Sequence, residues 1–251
     1  GYIDFLPRAS KVNFSITNYL TERAMPVVTG NYKNTYLDLQ TTTHEMGHVF
    51  QKYCASLEDR NHIVSPLLKY PTMEIAEMFS HAMELIMSDK VEGLFASDDY
   101  QKYSFMNIYN FVSLLPYICA VDEFQELIYS KEDLKVTDIN ETWLTVAKKY
   151  HLDKNNHGHI NLEDGGYYYR QSHIFLNPFY YIDYSLSYVG AILIWHNSKE
   201  NLAFFKEVGR VASYYSYKDL ITIYNMPNPF NEEVISDISK ELEKELEQRR
   251  F

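Results

Sequence analysis

The segment His44-Glu45-Met46-Gly47-His48 constrains the fold of this chain more than any other part of its sequence. Apolar residues recur at helical spacing from about residue 36 to 57, which predicts one amphipathic helix around the segment. Because side chains four residues apart lie on the same face of a helix, both imidazoles can bind one zinc ion. The glutamate between them then points towards a water molecule on that ion, so the segment predicts a catalytic zinc site.

The zinc site needs a third protein ligand, because catalytic zinc ions usually keep three such ligands and one open position. The next predicted helix, which opens at Pro71 and Thr72, offers two carboxylates. Glu74 lies 26 residues beyond His48, and Glu77 lies one turn further on nearly the same face. The glutamate that does not bind zinc would accept a hydrogen bond from a zinc-bound imidazole. The residues alone leave both glutamates open as the ligand.

The chain as a whole is predicted to be a single, mainly α-helical domain with a small β element near its N-terminus. Short runs of β-branched and aromatic residues, broken by Pro7, Pro26 and Gly30, predict strands within about the first thirty residues. Further helices are predicted at about residues 98–130, 137–150, 178–197, 199–213, 217–225 and 231–249. Pro116 predicts that the first of these is kinked or divided in two.

Residues 151–166 break the helical pattern and contain turn-forming residues throughout, which predicts an exposed loop. His157 and His159 lie in it, but two histidines in a polar loop are a weak indication of a second metal site. We expect a solvated loop that can close over a substrate by bending at Gly165 and Gly166.

The charge of the chain argues against one class of partner. With 34 acidic and 23 basic residues its net charge is -11, whereas phosphate binding needs clustered lysine and arginine. Nucleic acid is therefore not expected as the main partner, and without a run of about 18 apolar residues no membrane span is expected either. The two cysteines, Cys54 and Cys119, are few for a secreted chain and favour a reducing, cytoplasmic location.

Four blocks of the sequence resemble, in order and spacing, the catalytic C-terminal part of the thimet oligopeptidase and oligoendopeptidase F family of zinc metallopeptidases. The blocks are residues 2–11 (YIDFLPRASK), 41–51 (TTTHEMGHVFQ), 72–78 (TMEIAEM) and 170–175 with 178–184 (RQSHIF and PFYYIDY). The resemblance is greatest to the bacterial oligoendopeptidase F and Pz-peptidase branch and covers nearly the whole chain. It implies a zincin-type, multi-helical catalytic domain that binds Zn²⁺ and hydrolyses peptide bonds in short oligopeptides.

The resemblance also implies roles for individual residues. Glu45 would act as general base on a zinc-activated water. His173 and Tyr184 would contact the oxyanion or the substrate backbone, with Tyr181 assisting and Tyr180 a weaker candidate. These roles describe a zinc metalloendopeptidase.

The third ligand falls on Glu74 by the resemblance, which leaves Glu77 as a hydrogen-bond partner of a ligand or as the alternative ligand. In much of the family an acidic residue lies seven positions beyond the third ligand, and counting from Glu74 that position is His81. This departure puts the usual carboxylate partner of the zinc ligands in doubt, and Glu77 would have to substitute for it.

Family members also carry an N-terminal helical half that this sequence lacks, so residues 1–251 are expected to be the catalytic domain of a longer enzyme. One alternative is therefore a zinc-binding but inert remnant, or a fragment that needs its missing half. A second alternative, a thermolysin-like peptidase, is disfavoured because that class places its glutamate ligand nearer, where Leu67 and Leu68 stand.

Overall fold

The computed structural model describes residues 2–12, 14–20, 25–59, 70–152, 156–198, 202–226 and 228–251. Leu67 and Leu68 lie outside the described residues, as do residues 153–155 of the predicted loop and residues 199–201 of a predicted helix. The chain, predicted to be a single domain, forms two compact units. The first consists of Gly1–Tyr109 and Leu186–Phe251, and the second of Asn110–Ser185.

The described residues are mainly helical, with one small sheet near the N-terminus, which confirms the predicted fold class. The strands are β1 (Ile3–Asp4), β2 (Ile16–Leu20) and β3 (Met25–Thr29). The helices are α1 (Tyr36–Asp59), α2 (Met73–Ser88), α3 (Ser97–Tyr129), α4 (Val136–Lys149), α5 (Ile160–Glu163), α6 (His173–Leu176), α7 (Asp183–Ser198), α8 (Ala203–Val211), α9 (Tyr217–Ile223) and α10 (Glu232–Gln248). Short 3₁₀ turns lie at Glu92–Leu94 and Gly166–Arg170.

The sheet has the strand order β1-β3-β2, with β1 parallel and β2 antiparallel to β3. Lys11 fixes the chain after β1, because its Nζ donates hydrogen bonds to the backbone oxygens of Asp4 (2.7 Å) and Gly30 (2.6 Å). Thr17 of β2 faces α1, where its hydroxyl donates to Glu45. The sheet therefore places a strand beside the predicted general base.

Helix α2 is buried along most of its length, with 12 of its 16 residues inside the first unit. Apolar residues such as Phe79 supply most of that core. Glu77, His81 and Glu84 are buried as well, and burying ionisable groups is costly unless they are paired. The groups that pair with these three side chains therefore determine the chemical role of α2.

Two predicted helices can be compared with those in the structure. Pro116 lies inside one helix, α3, so of the two predicted forms the divided one is wrong, although a proline removes one helical hydrogen bond. Helix α7 begins at Asp183 rather than near residue 178, because the chain turns at Phe179, which has a φ of +62°. The Phe179 N–H donates to Oε1 of Gln125 (2.9 Å) instead of to a helical carbonyl.

Helix α3 also qualifies the expectation that no segment could span a membrane. By length and composition alone, Asp98–Tyr129 is long and apolar enough to do so. This helix contains no unbroken apolar run of membrane-spanning length, because serine and asparagine residues interrupt it. Ile108 and Phe124 of α3 are fully buried in the protein, and the core helices of soluble proteins pass the same test, so the finding is weak evidence for a membrane.

The second unit has its own apolar core, to which helices α3 and α4 and the 3₁₀ turn at Gly166–Arg170 contribute. Its buried members are Ala120, Val121, Phe124, Trp143, Val146, Ala147, Tyr168 and Ile174. Several tyrosine rings pack around this core, including those of Tyr117 and Tyr181. Packing therefore explains the position of some of the 23 tyrosines of the chain.

Candidate metal centre

Helices α1 and α2 bring two imidazoles and one carboxylate to a common point. His44 and His48 lie one turn apart on α1, and Glu77 faces them from α2. Oε2 of Glu77 lies 3.2 Å from Nε2 of His44 and 3.6 Å from Nε2 of His48. Ser80, one turn further along α2, donates a hydrogen bond of 2.8 Å to the same oxygen.

Glu74, which the resemblance placed at the ligand position, does not make these contacts. Its carboxylate accepts a hydrogen bond from the Thr72 hydroxyl (2.7 Å) at the start of α2. The physical reason is the position along the helix: Glu77 is one turn further along α2 and lies opposite the two histidines, whereas Glu74 is in its first turn. The structure thus brings together His44, His48 and Glu77, the alternative ligand of the sequence analysis.

Glu84 is a functional candidate that the sequence analysis missed. Its Oε1 accepts hydrogen bonds from Nδ1 of His44 (2.7 Å) and Nδ1 of His81 (3.0 Å), and its Oε2 accepts one from Gln40 (2.9 Å). Glu84 lies seven residues beyond Glu77. With Glu77 as the ligand, the acidic residue expected seven positions further on is present, and the apparent departure at His81 disappears.

The charges of this site are strongly coupled. Burial disfavours a charged imidazole, but hydrogen bonds to Glu77 and Glu84 outweigh it and raise the pKa of His44 to about 10. Burial, together with the charge of His44, lowers the pKa of His48 to about 3. Although burial acts in the opposite direction, the imidazoles lower the pKa of Glu77 to about 2 and also lower that of Glu84.

With these pKa shifts, the charges of the metal-free site do not cancel. Two carboxylates, on Glu77 and Glu84, face one imidazolium, on His44, which leaves one negative charge. A divalent cation that displaced the His44 proton would bring the net charge of His44, His48, Glu77 and Glu84 to zero. The charges of these four side chains are therefore compatible with a bound dication.

Two separations between donor atoms are compatible with a zinc site. Tetrahedral zinc with bonds of about 2.0–2.1 Å holds its ligand atoms about 3.3 Å apart, and the separations of 3.2 and 3.6 Å around Glu77 bracket that value. The Glu84 carboxylate engages Nδ1 of His44 and so directs its Nε2 towards the metal position. Among the described residues, the group whose ligand atoms all lie within 4.8 Å of one another consists of His44, Glu77 and His81, so His81 competes with His48 as the second histidine ligand.

Glu45 lies between the two histidines in the sequence and is 4% exposed. Its carboxylate accepts a short hydrogen bond from the Thr17 hydroxyl. Lys52, two turns further along α1, donates to the backbone oxygen of Thr17 (2.9 Å). Burial raises the pKa of Glu45, which moves a carboxylate towards the range in which it can accept and return protons. Thr17 and Lys52 were not predicted from the sequence, because no local pattern links β2 to α1.

The predicted substrate-binding residues lie together in the second unit. The ring of His173 is 5.0 Å from that of Tyr181 and 6.3 Å from that of Tyr184, and it stacks on Tyr180 at 5.6 Å. Burial raises the pKa of Tyr181 to about 12, so its hydroxyl remains a hydrogen-bond donor at neutral pH. The two loop histidines, His157 and His159, are exposed.

Comparisons with known proteins identify the family and the structural relatives of this chain. Residues 1–216 match the sequence model of peptidase family M3. A candidate oligoendopeptidase F of known crystal structure is 30% identical with a TM-score of 0.85, and Pz peptidase A in complex with an inhibitor is 29% identical with a TM-score of 0.86. A candidate oligoendopeptidase F from Bacillus anthracis is 25% identical with a TM-score of 0.78. No curated protein gives a match to the sequence.

The similarity extends over 98% of this chain but over only 43%, 44% and 41% of those three structures, respectively. The chain thus spans less than half the length of the solved proteins that it resembles. The part that it does span contains the two-histidine helix, the facing glutamate and the cluster around His173. On the match of its sequence over residues 1–216 and on these structural neighbours, the chain belongs to peptidase family M3.

Proposed function

We propose that this chain is the catalytic part of a zinc-dependent endopeptidase that cleaves short peptides, with His44, His48 and Glu77 as the zinc ligands. The observation that carries the proposal is the contact of one carboxylate oxygen of Glu77 with Nε2 of both histidines. Glu84 would hold the His44 imidazole in the orientation that binds the metal. Family membership supports the peptidase activity.

Zinc bound by these residues would act as a Lewis acid that activates water and polarises the scissile carbonyl. Glu45 would accept the proton of the attacking water and pass it to the leaving amine. Thr17 would hold the Glu45 carboxylate in place through its hydroxyl. Because Glu45 is buried, its protonated form is not strongly disfavoured, and the side chain can carry the proton between the two steps.

His173, Tyr181 and Tyr184 would bind the substrate and donate hydrogen bonds to the developing oxyanion. All three side chains belong to one aromatic cluster. The Tyr181 hydroxyl, whose pKa is raised by burial, is protonated at neutral pH, as a donor must be. The aromatic faces would also hold apolar side chains of the peptide.

The remaining features of the proposal concern the whole enzyme. Its substrates would be short peptides, its second partner would be the N-terminal part of the same enzyme, and its location would be the cytoplasm. The coverage of less than half of the related structures supports the requirement for a further part. A chain that binds zinc but needs that part for turnover is therefore the second candidate.

The test uses Glu45→Gln with a quenched fluorescent peptide as substrate. We expect turnover to fall by at least about 100-fold, because the general base is lost, while zinc content stays at one ion per chain. Glu74→Gln is the matched control and should keep both zinc and turnover. If Glu45→Gln retains turnover, the mechanism is wrong.

The same assay separates the two candidates. Turnover by the unmodified 251-residue chain alone would support an autonomous catalytic domain. Turnover only after addition of the N-terminal part of a related enzyme would support the dependent fragment. A chain that binds zinc and stays inactive in both assays would be an inert remnant.

A further inference from the structure

We infer that Gln171 is a positioning residue that fixes His173 as the neutral tautomer with its proton on Nε2. The inference rests on the proposed function, in which His173 donates a hydrogen bond to the substrate. It concerns the second unit alone, where Tyr117, Gln171 and His173 form a connected chain of hydrogen bonds.

The donor and acceptor atoms of these hydrogen bonds set the direction of each bond. The Tyr117 hydroxyl donates to Oε1 of Gln171 at 3.1 Å, and Nε2 of Gln171 lies 2.5 Å from Nδ1 of His173. An amide nitrogen can only donate and an amide oxygen can only accept. Nδ1 of His173 therefore accepts the bond and carries no proton, so the proton of the neutral ring is on Nε2.

The opposite arrangement, with the amide turned over, is disfavoured by the surroundings of Tyr117. Burial raises the pKa of this tyrosine, so its hydroxyl keeps its proton. Within the described part of the chain, Oε1 of Gln171 is the one acceptor found for that proton. A turned amide would present its N–H₂ group to the hydroxyl and deprive the hydroxyl proton of this acceptor.

The other ring nitrogen of His173 remains available for a ligand. No hydrogen-bond partner for Nε2 of His173 is found among the described residues. Burial lowers the pKa of His173, which favours the neutral ring. Neutral imidazole with an Nε2–H group is a hydrogen-bond donor of fixed direction, as the oxyanion of a peptide-hydrolysis intermediate requires.

The tautomer can be measured directly by ¹⁵N NMR of the 251-residue chain labelled at histidine. The His173 resonances are assigned by their loss in His173→Asn. We expect a protonated Nε2 and an unprotonated Nδ1 in the original chain, a mixture of tautomers in Gln171→Met, and protonation of Nδ1 in Gln171→Glu, whose carboxylate can only accept. Gln101→Met, at an exposed position on α3, is the control and should leave the spectrum of His173 unchanged.

Two outcomes would overturn the inference: a proton on Nδ1 in the original chain, or an unchanged tautomer in both Gln171 variants. If Gln171→Met does not fold, Tyr117→Phe serves instead, because loss of its hydroxyl frees the amide to turn and should also give a mixture. In the active enzyme, Gln171→Met should lower kcat about tenfold with KM within about twofold, less than the loss of an oxyanion donor itself. The NMR result stands without turnover or zinc, so failure of the proposed function and failure of this inference are distinguishable.

Discussion

Gly47 and Phe79 lie in direct backbone contact where α1 meets α2. A Cβ atom on Gly47 would be 2.4 Å from the carbonyl oxygen of Phe79, closer than non-bonded atoms can approach. Glu77 lies two residues before Phe79, so this approach brings its carboxylate to the two imidazoles. Gly47 therefore shapes the metal site although it contributes no ligand atom.

Replacement of Gly47 by alanine should separate α1 from α2. Because the added methyl group meets backbone rather than a flexible side chain, we expect a loss of about 1–3 kcal/mol in the free energy of unfolding. Zinc affinity should fall at least about tenfold, a size typical of disturbed ligand orientation. Denaturant unfolding and a competitive chelator titration measure the two quantities. Gly93→Ala, where no atom lies within 4 Å of the new methyl group, is the control, and equal zinc affinity in both variants would contradict the account.

Glu77→Gln and Glu74→Gln decide which glutamate binds zinc. Loss of the Glu77 carboxylate should lower zinc affinity by more than about 100-fold, because a charged ligand disappears. Loss of the Glu74 carboxylate, which bonds to Thr72, should leave affinity within about threefold of the original. His48→Ala and His81→Ala extend the comparison to the histidines. A larger loss in Glu74→Gln than in Glu77→Gln would restore the assignment made from the resemblance.

The difference between Glu74 and Glu77 shows what the sequence could and could not predict about the site. The spacing of His44 and His48 is local, so the helix and its two imidazoles follow from the sequence. The partner of those imidazoles depends on the rotation and position of a second helix, which approaches α1 closely at Gly47. The same rotation places Glu84 against His44, and no pattern within α2 alone reveals it.

The fold was predictable to a similar degree. Helix α1 begins at Tyr36 and the chain is mainly helical, as the apolar periodicity predicts. Helix α7 begins later than predicted because Phe179 takes up a positive φ and bonds to Gln125 of α3. That bond joins residues 54 positions apart, a relationship that short-range periodicity does not contain.

Thr17 should matter for turnover but not for zinc binding. Its hydroxyl holds the Glu45 carboxylate, so Thr17→Val should lower kcat about tenfold, within the contribution of general-base catalysis. Thr17→Ser keeps the hydroxyl and should retain most of the activity. Peptide turnover and zinc content measured on both variants check this. An equal loss of activity in the two variants would assign the effect to packing of the strand instead.

The metal-free chain should show a maximum of stability near pH 6.5, the ordinary pKa of histidine. Above it, the folded chain keeps a proton on His44, whose pKa is about 10, that the unfolded chain has lost. Stability therefore falls as the pH rises from 6.5 towards 9, by at most about 1.4 kcal/mol per pH unit. Below pH 6.5, His48 stays neutral in the folded chain, because its pKa is about 3, while the unfolded chain takes up a proton. Stability therefore falls on that side as well.

Zinc should abolish the loss of stability above pH 6.5. The ion binds the neutral imidazole of His44 and displaces its proton, so zinc affinity rises with pH over the interval in which the metal-free chain weakens. Urea unfolding at pH 5.5, 6.5, 7.5 and 8.5, with zinc and with a chelator, gives both curves. His44→Gln removes the titrating group. In this variant, the free energy of unfolding measured with chelator should stay nearly constant between pH 6.5 and 8.5. A metal-free chain whose stability stays constant over that interval would show that Glu77 and Glu84 do not hold a proton on His44.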